Sequence, residues 1–269
     1  MSHKLQELLE YLKTKGSIAV ALSGGVDSSM LLMACVKALA REKVAAVTVS
    51  SEMLAKVEED DAKAIARLCG VRHVILEAHD LDSEEVVRND EERCYYCKKR
   101  RFQALIDWAE ENGYAHVADG SNIDDAGDFR PGMRAVAELK PTVISPLEDC
   151  GWSKADIRAQ AKAWSLPVWD KPGAACLASR VSYHVPLTPE RLQTIERAEA
   201  ALRRVLTGQI RVRDHGAGLA RIEVEETQFS VFMENRERLE REIRDAGFTY
   251  VTLDLRGYRT GSQNEMLTK

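Results

Sequence analysis

Two groups of residues in this chain have the types and spacing to do chemistry. The first is SGGVDSS, Ser23 to Ser29, lying between the apolar run 17–22 and a helical stretch that begins near Ser28. Glycines at 24 and 25 let backbone N–H groups approach an anion with no side chain in the way, and Ser23 and Ser28 add hydroxyl donors. A helix N-terminus behind them adds its dipole, so the loop reads as a phosphate cradle. Asp27 would be repelled by bare phosphate, and its presence points to a bridging Mg²⁺. No lysine follows the glycines, so this is not the GKS or GKT loop of other triphosphate-binding proteins.

The second group is sulfur. Of the six cysteines, Cys94 and Cys97 form CYYC at the start of a predicted helix, where a spacing of three puts both on one face. Lys98, Lys99, Arg100 and Arg101 surround them with positive charge. Two thiolates make half a zinc site or a redox dithiol. Cys176 lies in PGAACLASR (172–180), a segment of small residues that leaves a sulfur accessible. Cys35 and Cys69 fall in apolar helical stretches and read as core residues. Cys150, before Gly151, is ambiguous. A zinc ion would want a fourth ligand, which Cys150, His73, His79 or His116 could supply.

The elements that must position these groups follow from periodicity. Leu5, Leu8, Leu9 and Leu12 give an opening helix, and the runs 17–22, 44–50, 72–78, 114–119 and 142–147 read as strands. Helices over 28–42, 57–69 and 94–112 alternate with them, which predicts an α/β fold with a doubly wound parallel sheet. The pattern breaks in VSYHVPLTP (181–189), so a first domain over 1–180 and a second over 188–269 are expected. Thr188, Pro189 and Glu190 start a helix to about 206; strands at 209–214 and 219–224, a helix at 235–246 and a strand at 249–255 follow. These suggest a small α+β unit of the ferredoxin-like kind.

The chain has 269 residues and a net charge of −5, yet residues 181–269 carry 14 basic and 14 acidic side chains. Thirteen of those basic residues are arginine, the planar partner of phosphate. The acidic balance disfavours nucleic acid as partner. No run approaches the roughly 18 apolar residues of a membrane span, and six cysteines are too sparse for a disulfide scaffold, so a cytoplasmic location is expected.

SGGVDSS resembles the pyrophosphatase loop of the PP-loop ATP pyrophosphatases. SSEML (51–55), CYYCKK, ADGSNIDDAGDFRPG (118–132), ACLASR (175–180), IRVRDHG (210–216), ARIEVE (220–225) and the closing TLDLRGYRTGSQNEMLTK together resemble one branch of that superfamily, the LarE sulfur transferases. The resemblance implies an adenine nucleotide alpha-hydrolase-like domain followed by a small C-terminal domain through which trimers pair into hexamers. It implies ATP-dependent conversion of pyridinium-3,5-biscarboxylic acid mononucleotide to its thiocarboxylates, for the nickel-pincer cofactor of lactate racemase. Carried over by position, Ser23, Gly24, Gly25, Asp27 and Ser28 would hold pyrophosphate and Mg²⁺, with Asp119 and Gly120 near the ATP. Cys176 matches the sulfur-bearing cysteine. Glu199, Arg211, Arg213 and Glu223 match positions associated with the substrate phosphate, and Arg259 is a further candidate. In the sacrificial branch of the family Cys176 gives up its own sulfur and Trp and Ala stand at the CYYC positions. Here Cys94 and Cys97 would join Cys176 in binding a [4Fe–4S] cluster whose fourth iron could carry hydrosulfide from an external source. A tRNA thiolase or an amidotransferase-like synthetase are the alternatives within the superfamily.

Overall fold

The computed structural model describes residues 2–127, 131–173 and 175–267. Parts of three motifs above (128–130, 174 and 268–269) lie outside the described residues. The chain forms two compact units, residues 1–78 with 94–171 and residues 79–93 with 172–269. Residues 172–180, which the periodicity assigns to the first domain, cluster with the second unit. So do 79–93, a segment that the sequence gives no reason to detach.

In chain order the elements of the first part are α1 (His3–Lys13), β1 (Ile18–Ala21), α2 (Val26–Ala38), β2 (Val44–Ser50), α3 (Lys56–Cys69) and β3 (Arg72–Glu77). Then come α4 (Glu84–Val87), α5 (Arg93–Glu111), β4 (His116–Ala118), α6 (Pro131–Glu138), β5 (Val143–Ile144), α7 (Pro146–Asp149) and α8 (Lys154–Ala163). The strands form one all-parallel sheet in the order β3-β2-β1-β4-β5. Alternation along each strand divides the core in two. Ile18 and Val20 face the leucines of α1 and the apolar sides of α2, α3 and α8, whereas Ala19, Val47, Val117 and Val143 face Phe102, Leu105, Ile106 and Val136 from α5 and α6. The expected doubly wound sheet is therefore present.

Differences from the expected elements have local causes. The strand expected over 142–147 stops at Ile144, because Pro146 cannot donate to a ladder and instead opens α7 at its first position. Helix α8 has no strong apolar stripe and escapes a periodicity reading. Its start is nonetheless well specified, with Ser153 and Asp156 forming a reciprocal capping box.

The second unit contains α9 (Pro189–Arg203), β6 (Ile210–Asp214), β7 (Leu219–Val224), α10 (Phe229–Glu234), α11 (Arg236–Ala246) and β8 (Tyr250–Leu253). Thr188 caps α9 by accepting from the Arg191 amide, with Pro189 behind it. The sheet order is β6-β7-β8; β6 and β7 are antiparallel, while β7 and β8 are parallel. A ferredoxin-like unit would have four antiparallel strands, so that expectation is corrected. Two short helices carry the chain from β7 back to a parallel β8, as a crossover requires.

Candidate functional site: a loop at the switch point and a buried arginine network

In an open parallel sheet the strand order reverses at one place, and the crevice at the carboxyl ends of the strands there takes ligands. Here that place lies between β1, which the chain leaves toward β2, and β4 on its other side. Ser23–Gly25 follow β1 and Asp119–Gly120 follow β4, so the two segments flank the switch point. Gly24 has φ +74°, and a Cβ on it would stand 2.3 Å from the Glu58 carbonyl oxygen. Both the backbone angle and the contact with α3 require glycine. A Cβ on Gly120 would stand 3.0 Å from the Ser28 amide nitrogen, which shows how closely the end of β4 approaches the start of α2.

Small hydroxyls set the loop. The Ser23 amide donates to Ser28 Oγ at 3.2 Å, the two serine hydroxyls are 3.1 Å apart, and Ser29 Oγ donates to the Gly25 carbonyl at 2.7 Å. Three lysines, from α8, α5 and the loop after α8, lie around it. Lys154, the first residue of α8, pairs with Asp27, whose other oxygen, Oδ1, is buried with no hydrogen-bond partner among the described residues. Lys98 of α5 lies 3.4 Å from Asp119, which also accepts from the Ser121 hydroxyl at 2.6 Å. Lys171 reaches Glu58 at 2.7 Å, Asp61 at 2.5 Å and the Gly24 carbonyl at 3.3 Å. The sequence marks Lys98 only as a neighbour of CYYC and does not single out Lys154 or Lys171. The capping box around Lys154 offered a signal; for Lys171 there was none, because its partners lie more than 100 positions away.

The CYYC helix is anchored to the same edge of the sheet. Residues 94, 97, 98 and 101 share one face of α5. Lys98 reaches Asp119 after β4, and Arg101 donates to Ser51 Oγ after β2 at 2.5 Å. On the opposite face Tyr95 and Lys99 bond Glu138 of α6 at 2.8 and 2.9 Å. Cys94 and Cys97 are half-buried. Cys35 and Cys69 are buried in the core, and burial pushes the Cys69 thiol up to about 11 and the Cys35 thiol higher still. Burial, with Glu7 and Asp149 nearby, also pushes Cys150 up to about 11. These three are poor nucleophiles.

Cys176 belongs to the second unit and is held by arginines. Arg180 donates to the carbonyls of Ala175 at 2.5 Å and Cys176 at 3.1 Å, and pairs with the fully buried Glu199 at 2.8 Å. Arg211 and Arg213, two apart on β6, point to one side: Arg211 donates to the Gly173 carbonyl at 2.6 Å and Arg213 to the Ser179 carbonyl at 3.0 Å. Glu223 accepts from Arg213 at 2.7 Å and from Ser262 at 2.7 Å. Arg93, the residue before Cys94, also lies in this unit and donates to the Ala178 carbonyl at 2.9 Å. Arg259 is paired with Glu265 at 3.1 Å and Asp254 at 3.4 Å, and is joined to this group through Asp254 and Arg221, which pairs with Glu223 at 2.8 Å.

The charges are unequal in their partners. Glu199 accepts from Arg180, Arg203 and the Val212 amide; burial alone would raise its carboxyl, but Arg180 and Arg203 hold it below its ordinary range. Arg211 bonds only carbonyls among the described residues, and burial together with Arg180 brings its guanidinium down to about 10. A buried cation so placed favours an incoming anion. Glu199 and Glu223 carry charge that a phosphate would repel, so their part in such a site is to hold arginines. Among the described residues, no group of three or more His, Cys, Asp or Glu side chains is arranged to hold a metal ion.

A parallel sheet with a glycine-serine loop at its switch point defines a PP-loop nucleotide-binding protein, and a family model for the PP-loop domain matches residues 1–128. The whole chain is 34% identical, over 96% of the relative's length, to the pyridinium-3,5-bisthiocarboxylic acid mononucleotide synthase of Lactiplantibacillus plantarum. It is 37% identical to an uncharacterized protein of Synechocystis over the full length of both, and 31% identical to one of Methanocaldococcus jannaschii over 96% of this chain and 98% of that one. The chain belongs to the LarE family and is an ATP-dependent sulfurtransferase. Among the described residues no helix is long and apolar enough to cross a membrane.

Proposed function

We propose that this chain adenylates the carboxylates of pyridinium-3,5-biscarboxylic acid mononucleotide and converts them to thiocarboxylates, for the nickel-pincer cofactor of lactate racemase. The observation that carries the reading is the arginine set around Cys176. Arg211 and Arg213 bond the flanks of the Cys176 loop while Arg211, among the described residues, hydrogen-bonds carbonyls and no carboxylate, which suits a substrate phosphate held near a reactive sulfur. Arg259, being paired elsewhere, is the weaker contributor.

A carboxylate is a poor electrophile because its leaving group would be oxide. Attack of its oxygen on the α-phosphorus of ATP expels pyrophosphate and leaves an acyl adenylate, from which a sulfur nucleophile can expel AMP. Ser23, Gly24, Gly25 and Ser28 stabilise the charge growing on pyrophosphate, and Asp119 and Gly120 line the nucleotide. Asp27, whose buried Oδ1 has no partner among the described residues, would hold Mg²⁺, which would supply positive charge against the phosphates.

The reading assigns sulfur transfer to three thiols, Cys176 with Cys94 and Cys97. The donor chemistry fits a [4Fe–4S] cluster: Cys94 and Cys97 are one turn apart on α5, and Cys176 supplies a third thiolate. Three thiolates would hold such a cluster with one iron left without a protein ligand, and the chemistry it would supply is delivery of sulfur from an external hydrosulfide source. The second reading, in which Cys176 is sacrificed, has its thiolate displace AMP; loss of the Cys176 Cα proton and cleavage of its Cβ–S bond then release thiocarboxylate and leave dehydroalanine. The presence of Cys94 and Cys97 favours the first. We read the exposed Met233, Tyr250 and Leu255 of the second unit as part of a homo-oligomer contact, a trimer or hexamer, and the compartment as cytoplasmic.

Mass spectrometry after reaction with ATP, Mg²⁺ and the biscarboxylate, with the protein reconstituted anaerobically with iron and sulfide, tests the reading. Several equivalents of thiocarboxylate from a chain of unchanged mass are expected. A loss of about 34 Da at Cys176, the mass of H₂S, overturns the cluster in favour of sacrifice. Pyrophosphate release without any sulfur-containing product overturns the substrate assignment.

A further inference from the structure

The Asp27 carboxylate is divided between two situations. Its Oδ2 is engaged by the Lys154 ammonium, and its Oδ1 is buried with no partner among the described residues. The orphaned oxygen suits a cation. The ammonium already neutralises the charge that would attract one, and a dication on Oδ1 would stand beside it. Taken with the reading of Asp27 as the metal ligand, on which this inference rests, we propose that Lys154 makes metal entry conditional on a polyphosphate. The loop on its own would bind a divalent ion weakly, because one carboxylate faces two cationic groups. A triphosphate or pyrophosphate brings enough negative charge to satisfy the ammonium and the metal together. The metal then arrives with the nucleotide and leaves with pyrophosphate, so the empty loop does not retain a metal ion between turnovers.

Local construction supports this role. Lys154 is the first residue of α8, and the capping box of Ser153 and Asp156 together with a 2.7 Å bond from its own amide to Asp124 fixes its backbone independently of its side chain. Lys98 and Lys171, the other lysines at the loop, pair with Asp119, Glu58 and Asp61, so Lys154 is the ammonium paired with Asp27.

Manganese serves as the probe, its free ion counted by electron paramagnetic resonance, on the full chain with and without pyrophosphate. In the wild type Mn²⁺ alone should bind weakly and pyrophosphate should tighten it. Lys154→Met should tighten Mn²⁺ alone by about tenfold or more and weaken the pyrophosphate-dependent binding. Lys154→Arg, which keeps the charge, should restore the wild-type pattern. Should Lys154→Met disturb the circular dichroism spectrum, Lys154→Gln replaces it with the same expectation. Unchanged affinity for Mn²⁺ alone in the neutral variant overturns the inference. Asp27→Asn separates this from the underlying reading: if it retains Mn²⁺–pyrophosphate binding, Asp27 is not the metal ligand at all.

Discussion

The two units of this protein build their candidate anion sites by opposite means. In the first, backbone amides, two serine hydroxyls and a helix start do the work within seven consecutive residues, and the lysines around the loop are each neutralised by a carboxylate. In the second, buried guanidiniums do it, drawn from residues 180 to 213 and held by Glu199 and Glu223. A loop of the first kind depends on backbone shape and costs little to keep empty. Buried ions are costly unless paired, so the second kind depends on every partner being present. One site is a local feature and the other a property of a whole unit.

Breaking each by its own weakness should give different symptoms. Gly24→Ala carries the largest expected effect, because its Cβ would collide with the Glu58 carbonyl at a left-handed backbone angle. ATP affinity should fall about a hundredfold or more, measured by calorimetry, while the melting of the second unit is unchanged. Glu199→Gln should do the reverse. It leaves Arg180 and Arg203 without their buried carboxylate and should cost about 3–5 kcal/mol in denaturant unfolding, with nucleotide affinity retained.

Acid should expose a smaller asymmetry. Lys63, Ser50 and Lys56 hold the Glu59 carboxyl down at about 2, and Lys4 and Ser153 do the same for Asp156, both in the first unit. A carboxyl depressed in the folded state adds stability that is complete above its unfolded value, near 4. That stability is lost as pH falls from there toward about 2. Asp156→Asn should lower the neutral plateau of a melting-temperature profile and flatten its acid limb, so that the variant and the wild type converge toward about pH 2. The smallest effect belongs to Arg238→Ala, which removes an exposed pair with Glu242 on α11 and should leave the melting curve unchanged.

Much of the first unit is legible without coordinates, since its strands are short apolar runs, its helices mostly amphipathic and its loop contiguous. The exceptions are instructive. Helix α8 has a weak apolar stripe, and the strand expected to 147 ends early at a proline. The second unit is legible as helices and strands, but not in its topology, because nothing local distinguishes a parallel β8 from an antiparallel one.

The chemistry available is written in the chain order alone: the phosphate loop at 23–29, the helical pair Cys94 and Cys97, Cys176 among small residues and an arginine-rich last third. These are visible because each depends on neighbours within a turn or two of chain. The tertiary structure alone decided which charges are neutralised and which are not. That Asp27 is paired with Lys154, 127 residues away, and that Arg211 hydrogen-bonds only carbonyls among the described residues follow from the packing of distant elements. Burial there sets what an ion costs, and no local pattern records it.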